Sequence, residues 1–157
     1  MYRCDAGISI LYRDDIYRAG KPFIDHRFSV ITVSFRSVTH VDRETLEDKS
    51  VRLIKGMKVL VIPTIVTQQY TKGLGETIPS VAEALGDFRH VEKNTFGCMA
   101  NKEFASRIKE SGKKNIVVCG IEAHICVQQT VLQLIEEGYN VYLVADCVAS
   151  RNENDKL

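Results

Sequence analysis

The chain has 157 residues, a length that suits one domain and buries about two-thirds of the unfolded surface without a disulfide or metal staple. Hydrophobic residues make up 45% and charged residues 26%, which excludes a disordered chain. Lys and Arg total 21 against 20 Asp and Glu, a net charge of +1; with no basic field, no nucleic-acid or anionic-membrane partner is expected.

The N-terminal stretch MYRCDAGISILYRDD does not read as a signal peptide, because Asp5 and Arg13 bracket its short apolar run. Ile8 to Tyr12 is a weak strand and Phe28 to Phe35 a stronger one. Residues 13–27 are rich in charge and receive no regular element. Glu44 to Leu60 carries Leu46, Leu53, Ile54 and Met57 at helical spacing. Pro63 precedes a short buried strand, Thr64 to Thr67, and the apolar run Val59 to Val66 is too short to cross a bilayer. Gln68 to Pro79, with Gly73 and Gly75, reads as a loop. His90 to Phe96 reads as a β-like stretch leading into a helix, and Asn101 to Ser111 as a helix stopped by Gly112.

Ile116 to Gly120 is a continuous apolar strand of the kind covered on both faces. His124 to Glu137 follows as a helix with Val127, Val131, Leu134 and Ile135 on one face, and Val141 to Ala145 is a second buried strand ending at Asp146. Strand, helix and strand within about 30 residues form a βαβ unit, which implies a parallel sheet with helices on both faces. The fold class is α/β, a three-layer sandwich. One domain is expected over residues 1–157, with its core at 28–151. Only Cys147 to Leu157 follow Asp146, where a doubly wound domain would add a further helix and strand.

Cys126 is the sharpest chemical signal. It lies six residues after Gly120, near the start of a helix, where unpaired N–H groups and the positive dipole end favour thiolate. The crevice outside the carboxyl ends of a parallel sheet is where ligands bind. The plain alternative for a free cysteine is a small buried hydrophobe. Lys93 follows a strand and points to the same crevice, where it holds a carbonyl oxygen or lowers a thiol pKa; the plain alternative is a solvated surface lysine. Gly73-Leu74-Gly75 reads as a tight turn rather than a phosphate cradle. His124 is two residues from Cys126, a spacing at which helical side chains diverge. The other cysteines, Cys4, Cys98, Cys119 and Cys147, show no CxxC spacing, and no histidine pattern accompanies them. No metal or disulfide framework is expected, and the compartment is the reducing cytoplasm.

Four segments together resemble the isochorismatase-like cysteine hydrolase family, in its small isochorismatase domain-containing branch. They are IVTQQYTKGLGETIP (Ile65 to Pro79), VEKNTFGC (Val91 to Cys98), VVCGIEAHICVQQTVLQLIEEGYNVYLVAD (Val117 to Asp146) and VASR (Val148 to Arg151), spanning roughly residues 44–151. The resemblance implies a Rossmann-like parallel sheet, no cofactor, and an Asp–Lys–Cys triad in the amidase members. It places the nucleophile on Cys126 and the lysine on Lys93. It places an oxyanion hole on the backbone N–H groups of Glu122 and Cys126, with a non-proline cis bond before Glu122. The family aspartate sits in a strand-end motif resembling VIDxQ; aligning Val30-Ile31-Thr32-Val33-Ser34 puts Thr32 at the Asp position and Ser34 at the Gln position. A threonine hydroxyl is no base near neutral pH, and Asp14, Asp15, Asp25 and Asp42 fall outside the motif.

The expected function is cysteine-dependent hydrolysis of a small amide or related acyl compound, impaired by Thr32. The alternative is a non-catalytic family member serving as a binding or assembly module. The expected partners are a small-molecule substrate and further copies of the chain in a homo-oligomer. Apolar sheet surface left bare beyond Asp146 would drive that association.

Overall fold

The computed structural model describes residues 2–3, 8–12, 27–33 and 43–155. The strands are Tyr2–Arg3 (β1), Ile8–Leu11 (β2), Phe28–Val33 (β3), Thr64–Gln69 (β4), Val91–Lys93 (β5), Asn115–Ile121 (β6) and Asn140–Ala149 (β7). The helices are Arg43–Val59 (α1), Thr71–Leu74 (α2), Pro79–Leu85 (α3), Lys102–Glu110 (α4) and Gln128–Glu136 (α5), with a π-helical turn at Ala123–Val127. One sheet runs in the order β1-β2-β7-β6-β3-β4-β5. Every neighbouring pair is parallel except β1 with β2.

The central strands carry apolar residues on both faces because both faces are covered. One face packs Val30, Val66, Val117 and Cys119 against Leu53, Ile54 and Met57 of α1 and Val81 and Leu85 of α3. The other packs Ile31, Ile65, Val91 and Val118 against Phe104 and Ile108 of α4 and Val131 and Leu134 of α5. Each fully buried aliphatic side chain contributes about 1.5–3 kcal/mol relative to exposure. These two faces give the three-layer α/β sandwich, and the expected parallel strands at Thr64–Thr67, Ile116–Gly120 and Val141–Ala145 lie within β4, β6 and β7.

Several local expectations change. The expected loop Gln68 to Pro79 is partly regular: Gln68 and Gln69 complete β4, Thr71–Leu74 forms α2, and Pro79 opens α3, where Val81, Ala84 and Leu85 are buried and Gly86 ends the helix with φ 73°. No helix follows β5 directly. The buried Lys93 ammonium takes the carbonyls of Thr95 (2.9 Å) and Phe96 (3.0 Å), acceptors a helix would have used. Helix α4 starts only after Asn101, whose side chain accepts the Phe104 N–H at 3.1 Å. Strand β7 does not stop at Asp146. Val118 stands opposite Leu143 and Gly120 opposite Val148, so β7 carries extra residues over that stretch and runs on to Ala149.

The sheet also continues past β7. Ile8–Leu11, from the N-terminal end, pairs in parallel with Val141–Val144. An apolar cavity of about 400 Å³ remains beside this strand, lined by Ile8, Ile10, Val127, Val131, Leu132 and Leu143 among others. Asp14, Asp15, Asp25, Ser34 and Asp42 lie outside the described residues.

Candidate active site

Cys126 lies in the π-helical turn between β6 and α5. That turn departs from the regular helix the periodicity implies over His124 to Glu137. The peptide bond between Ile121 and Glu122 is cis, as the resemblance implies. The Glu122 carbonyl accepts the N–H of Ile125 (3.2 Å) and of Val127 (3.0 Å), on either side of Cys126. Such wide turns recur at functional sites because they re-aim side chains and N–H groups.

The thiol is held through its own backbone. Thr130, four residues on, donates its hydroxyl to the Cys126 carbonyl at 2.6 Å and accepts the N–H of Cys98 at 3.1 Å. One buried hydroxyl thereby ties the turn carrying Cys126 to the loop after β5. Cys98 in turn donates its thiol to Thr67 Oγ1 at 3.9 Å. Burial pushes the Cys98 thiol up; the Lys93 charge pulls against that, and Cys126 adds to it.

Lys93 is the last residue of β5 and is wholly buried. It is not the solvated surface lysine that a lone Lys usually is. Its ammonium donates to Gln69 Oε1 and to the carbonyls of Thr95 and Phe96. Three N–H donors meet three uncharged acceptors, so the cation is solvated by the protein.

Thr32 goes elsewhere. It pairs with Val66 and Cys119 in the sheet. Val30, Val66 and Cys119 face α1 and α3, whereas Ile31 faces the Cys126 side. With side chains alternating along a strand, Thr32 points to the α1 side, away from Cys126. Its hydroxyl is buried and has no hydrogen-bond partner among the described residues. The alignment puts Thr32 at the family Asp position, but the β3 positions on the Cys126 side of the sheet are those in step with Ile31.

His124 is also turned away. Its Nδ1 lies 2.8 Å from Ser150 Oγ, and its backbone N–H donates to the same oxygen at 3.3 Å. The Glu122 carboxylate accepts the Arg151 N–H at 3.0 Å and lies 3.5 Å from its Nε. Neither Cys126 nor Lys93 lines the apolar cavity beside β2. Among the described residues, no group of three or more His, Cys, Asp or Glu side chains could hold a metal.

Thr130, Cys98 and Gln69 did not stand out in the sequence. Thr130 was within reach of inference, since a threonine four residues after another helical residue can bond back to its carbonyl. Gln69 and Cys98 carry no such local signal; their roles depend on β4 and β5 being neighbours.

The isochorismatase domain family matches residues 23–156. The chain belongs to the isochorismatase family. It is 38% identical over 107 residues to isochorismatase domain-containing protein 2 of Danio rerio, covering 68% of this chain and 53% of that protein. It is 36% identical over 106 residues to isochorismatase domain-containing protein 1 of Salmo salar, covering 68% of this chain and 37% of that one. The chain therefore spans about half, or less, of the length of these relatives. The MAR1 ribonuclease structure from Caenorhabditis elegans superposes with a TM-score of 0.75 at 34% identity, covering 85% of this chain and 70% of that one. This isochorismatase-family chain thus shares the hydrolase fold of its relatives, and no helix among the described residues is long and apolar enough to cross a membrane.

Proposed function

We propose that this isochorismatase-family chain uses Cys126 to attack the carbonyl carbon of a small amide or related acyl compound. The observation that carries this reading is that the turn bearing Cys126 is tied through Thr130 to Cys98, in the loop after β5 whose Thr95 and Phe96 carbonyls hold the buried Lys93 cation. The sulfur bonds to the carbonyl carbon and the carbonyl π pair moves to oxygen. The N–H groups of Glu122 and Cys126 serve as its oxyanion donors. The C=O bond re-forms as the C–N bond breaks, the proton given up by the Cys126 thiol ends on the departing amine, and water then hydrolyses the thioester to the acid, returning a proton to Cys126 sulfur. Among the described residues no carboxylate hydrogen-bonds to Lys93, so the deacylating water has no evident base there. Turnover is therefore slow relative to acylation. The substrate is a small molecule, no cofactor takes part, and the setting is the cytoplasm, where the thiols of Cys98, Cys119, Cys126 and Cys147 stay reduced. The apolar cavity beside β2, lined by Ile8, Ile10, Leu132 and Leu143, supports a homo-oligomer.

The test is ammonia release from a panel of small primary amides, with intact-mass detection of an acyl adduct. Adduct and ammonia from the wild type, both lost in Cys126→Ala, are expected. Ammonia release that survives Cys126→Ala overturns the mechanism. Absence of both supports the reading of a non-catalytic binding module.

The likeness to MAR1 ribonuclease favours one second reading, cleavage of RNA. The charge balance of +1 weighs against it. A fluorescent single-stranded RNA incubated with the wild type and with Cys126→Ala decides the matter.

A further inference from the structure

The three acceptors on the Lys93 ammonium are not equivalent. The carbonyls of Thr95 and Phe96 belong to the backbone of the loop after β5, and Thr95 is itself tied down by donating its hydroxyl to the Gly97 carbonyl at 2.8 Å. The third acceptor, Gln69 Oε1, is a side chain. Gln69 closes β4, stands directly opposite Lys93 in the β4–β5 register, and is only half-buried, whereas Lys93 has no exposure. A ligand oxygen that reaches the ammonium must therefore displace one of three hydrogen bonds. The one that can yield by a side-chain rotation, on the solvent side, is the bond to Gln69. The amide oxygen of glutamine is neutral, so exchanging it for a neutral carbonyl oxygen is nearly balanced. A carboxylate there would hold the cation by a charge-assisted bond about twice as strong.

We infer that Gln69 is a positioning residue that holds Lys93 in the resting site and is exchanged for the carbonyl oxygen of an incoming acyl ligand. This rests on the reading of Cys126 as the nucleophile. It adds to that reading a specific order of events: Gln69 leaves Lys93, the ligand carbonyl oxygen takes the freed N–H, Cys126 then attacks, and the N–H groups of Glu122 and Cys126 take the charge that develops on that same oxygen. Because the exchange is nearly balanced for a neutral oxygen, neutral carbonyl compounds are the ligand class to test first.

Acrylamide is a suitable probe, because its addition needs no deacylation. The Cys126 sulfur bonds to the β-carbon, the C=C π pair shifts toward the carbonyl, and the thiol proton ends on the α-carbon. The concentration dependence of labelling at Cys126, followed by peptide mass, separates the half-saturating concentration from the maximal rate. Gln69→Glu should raise the half-saturating concentration at least tenfold, because the carboxylate does not yield. Gln69→Met, which has nearly the same shape but no strong acceptor, should lower it about threefold or more, because the third N–H stands ready. Gln69→Asn keeps the amide one methylene too short and should behave like Met, so it serves if the Met variant folds poorly. A purely structural role would move all variants the same way. Shifts of one sign, or none, with wild-type Cys126 labelled normally, overturn the role of Gln69 alone. A wild-type Cys126 that acrylamide never labels overturns the nucleophile and this inference together.

Discussion

Thr32 and Cys126 lie on opposite faces of one sheet: Thr32 pairs with Cys119 on the α1 side, while Cys126 packs with Ile31 and Val118 on the other. A carboxylate at position 32 would therefore enter an apolar layer beside Val66 and Cys119 and would not reach Cys126. Thr32→Asp should lose about 3–5 kcal/mol in urea unfolding, the scale of an uncompensated buried charge, with no gain in amide turnover. Thr32→Val keeps the shape and removes an unpaired hydroxyl; it should be neutral or stabilising by about 1 kcal/mol. Raised ammonia release from Thr32→Asp would show that the face assignment is wrong.

Thr130 is the hinge pin between the two halves of the site. Thr130→Val removes both its bonds and leaves the buried Cys98 N–H unpaired. A loss of about 1–3 kcal/mol is expected, together with slower labelling of Cys126. Thr130→Ser retains the hydroxyl and should recover most of the labelling rate. If Val and Ser variants label alike, the hydroxyl does not place the turn.

Among Cys98, Cys119, Cys126 and Cys147, only Cys126 has measurable exposure, 7% against zero for the others. Iodoacetamide should therefore label Cys126 before those three in the native protein. Cys119 should be the most resistant: burial, reinforced by the neighbouring Cys147, pushes its thiol well above the ordinary value, so thiolate is scarce. Peptide mapping after partial alkylation reads the order. Early labelling of Cys119 would contradict the packing of the α1 face.

Glu92 fastens α2 to β5. Partial burial pushes its carboxyl up, but hydrogen bonds from the Thr71 hydroxyl and N–H, with His90 nearby, bring it below the ordinary value. A carboxylate depressed in the folded state adds stability above its unfolded pKa and loses it as pH falls through the folded value. The wild type should thus be more stable than Glu92→Gln at pH 7, and the difference should shrink as pH falls through the folded pKa, which lies below the ordinary glutamate value. Because Glu92 is half exposed, the effect is small and salt-sensitive. Thermal unfolding of both proteins at pH 7 and pH 3 measures it.

Much of the fold follows from local patterns. The apolar runs Thr64–Thr67, Ile116–Gly120 and Val141–Ala145, with a helical period between the last two, determine a parallel α/β sheet by themselves, since no other packing covers both faces of such strands. Cys126 and Lys93 stood out as candidates for a similar reason: Lys93 ends β5 and Cys126 follows the end of β6, and strand ends in a parallel sheet share one edge. Tertiary structure decided the rest. The side of the sheet that Thr32 faces depends on register, where a shift of one residue reverses every side chain; sequence alignment alone put it beside the thiol. The partners of Lys93 are Gln69, 24 residues earlier, and two carbonyls of an irregular loop. Cys98 meets Thr130 across 32 residues. The parallel partner of β7 beyond β6 comes from residues 8–11 at the other end of the chain. Hydrogen bonds and strand pairs formed over such separations leave no period in the sequence, because each partner satisfies its own local pattern equally well without the other.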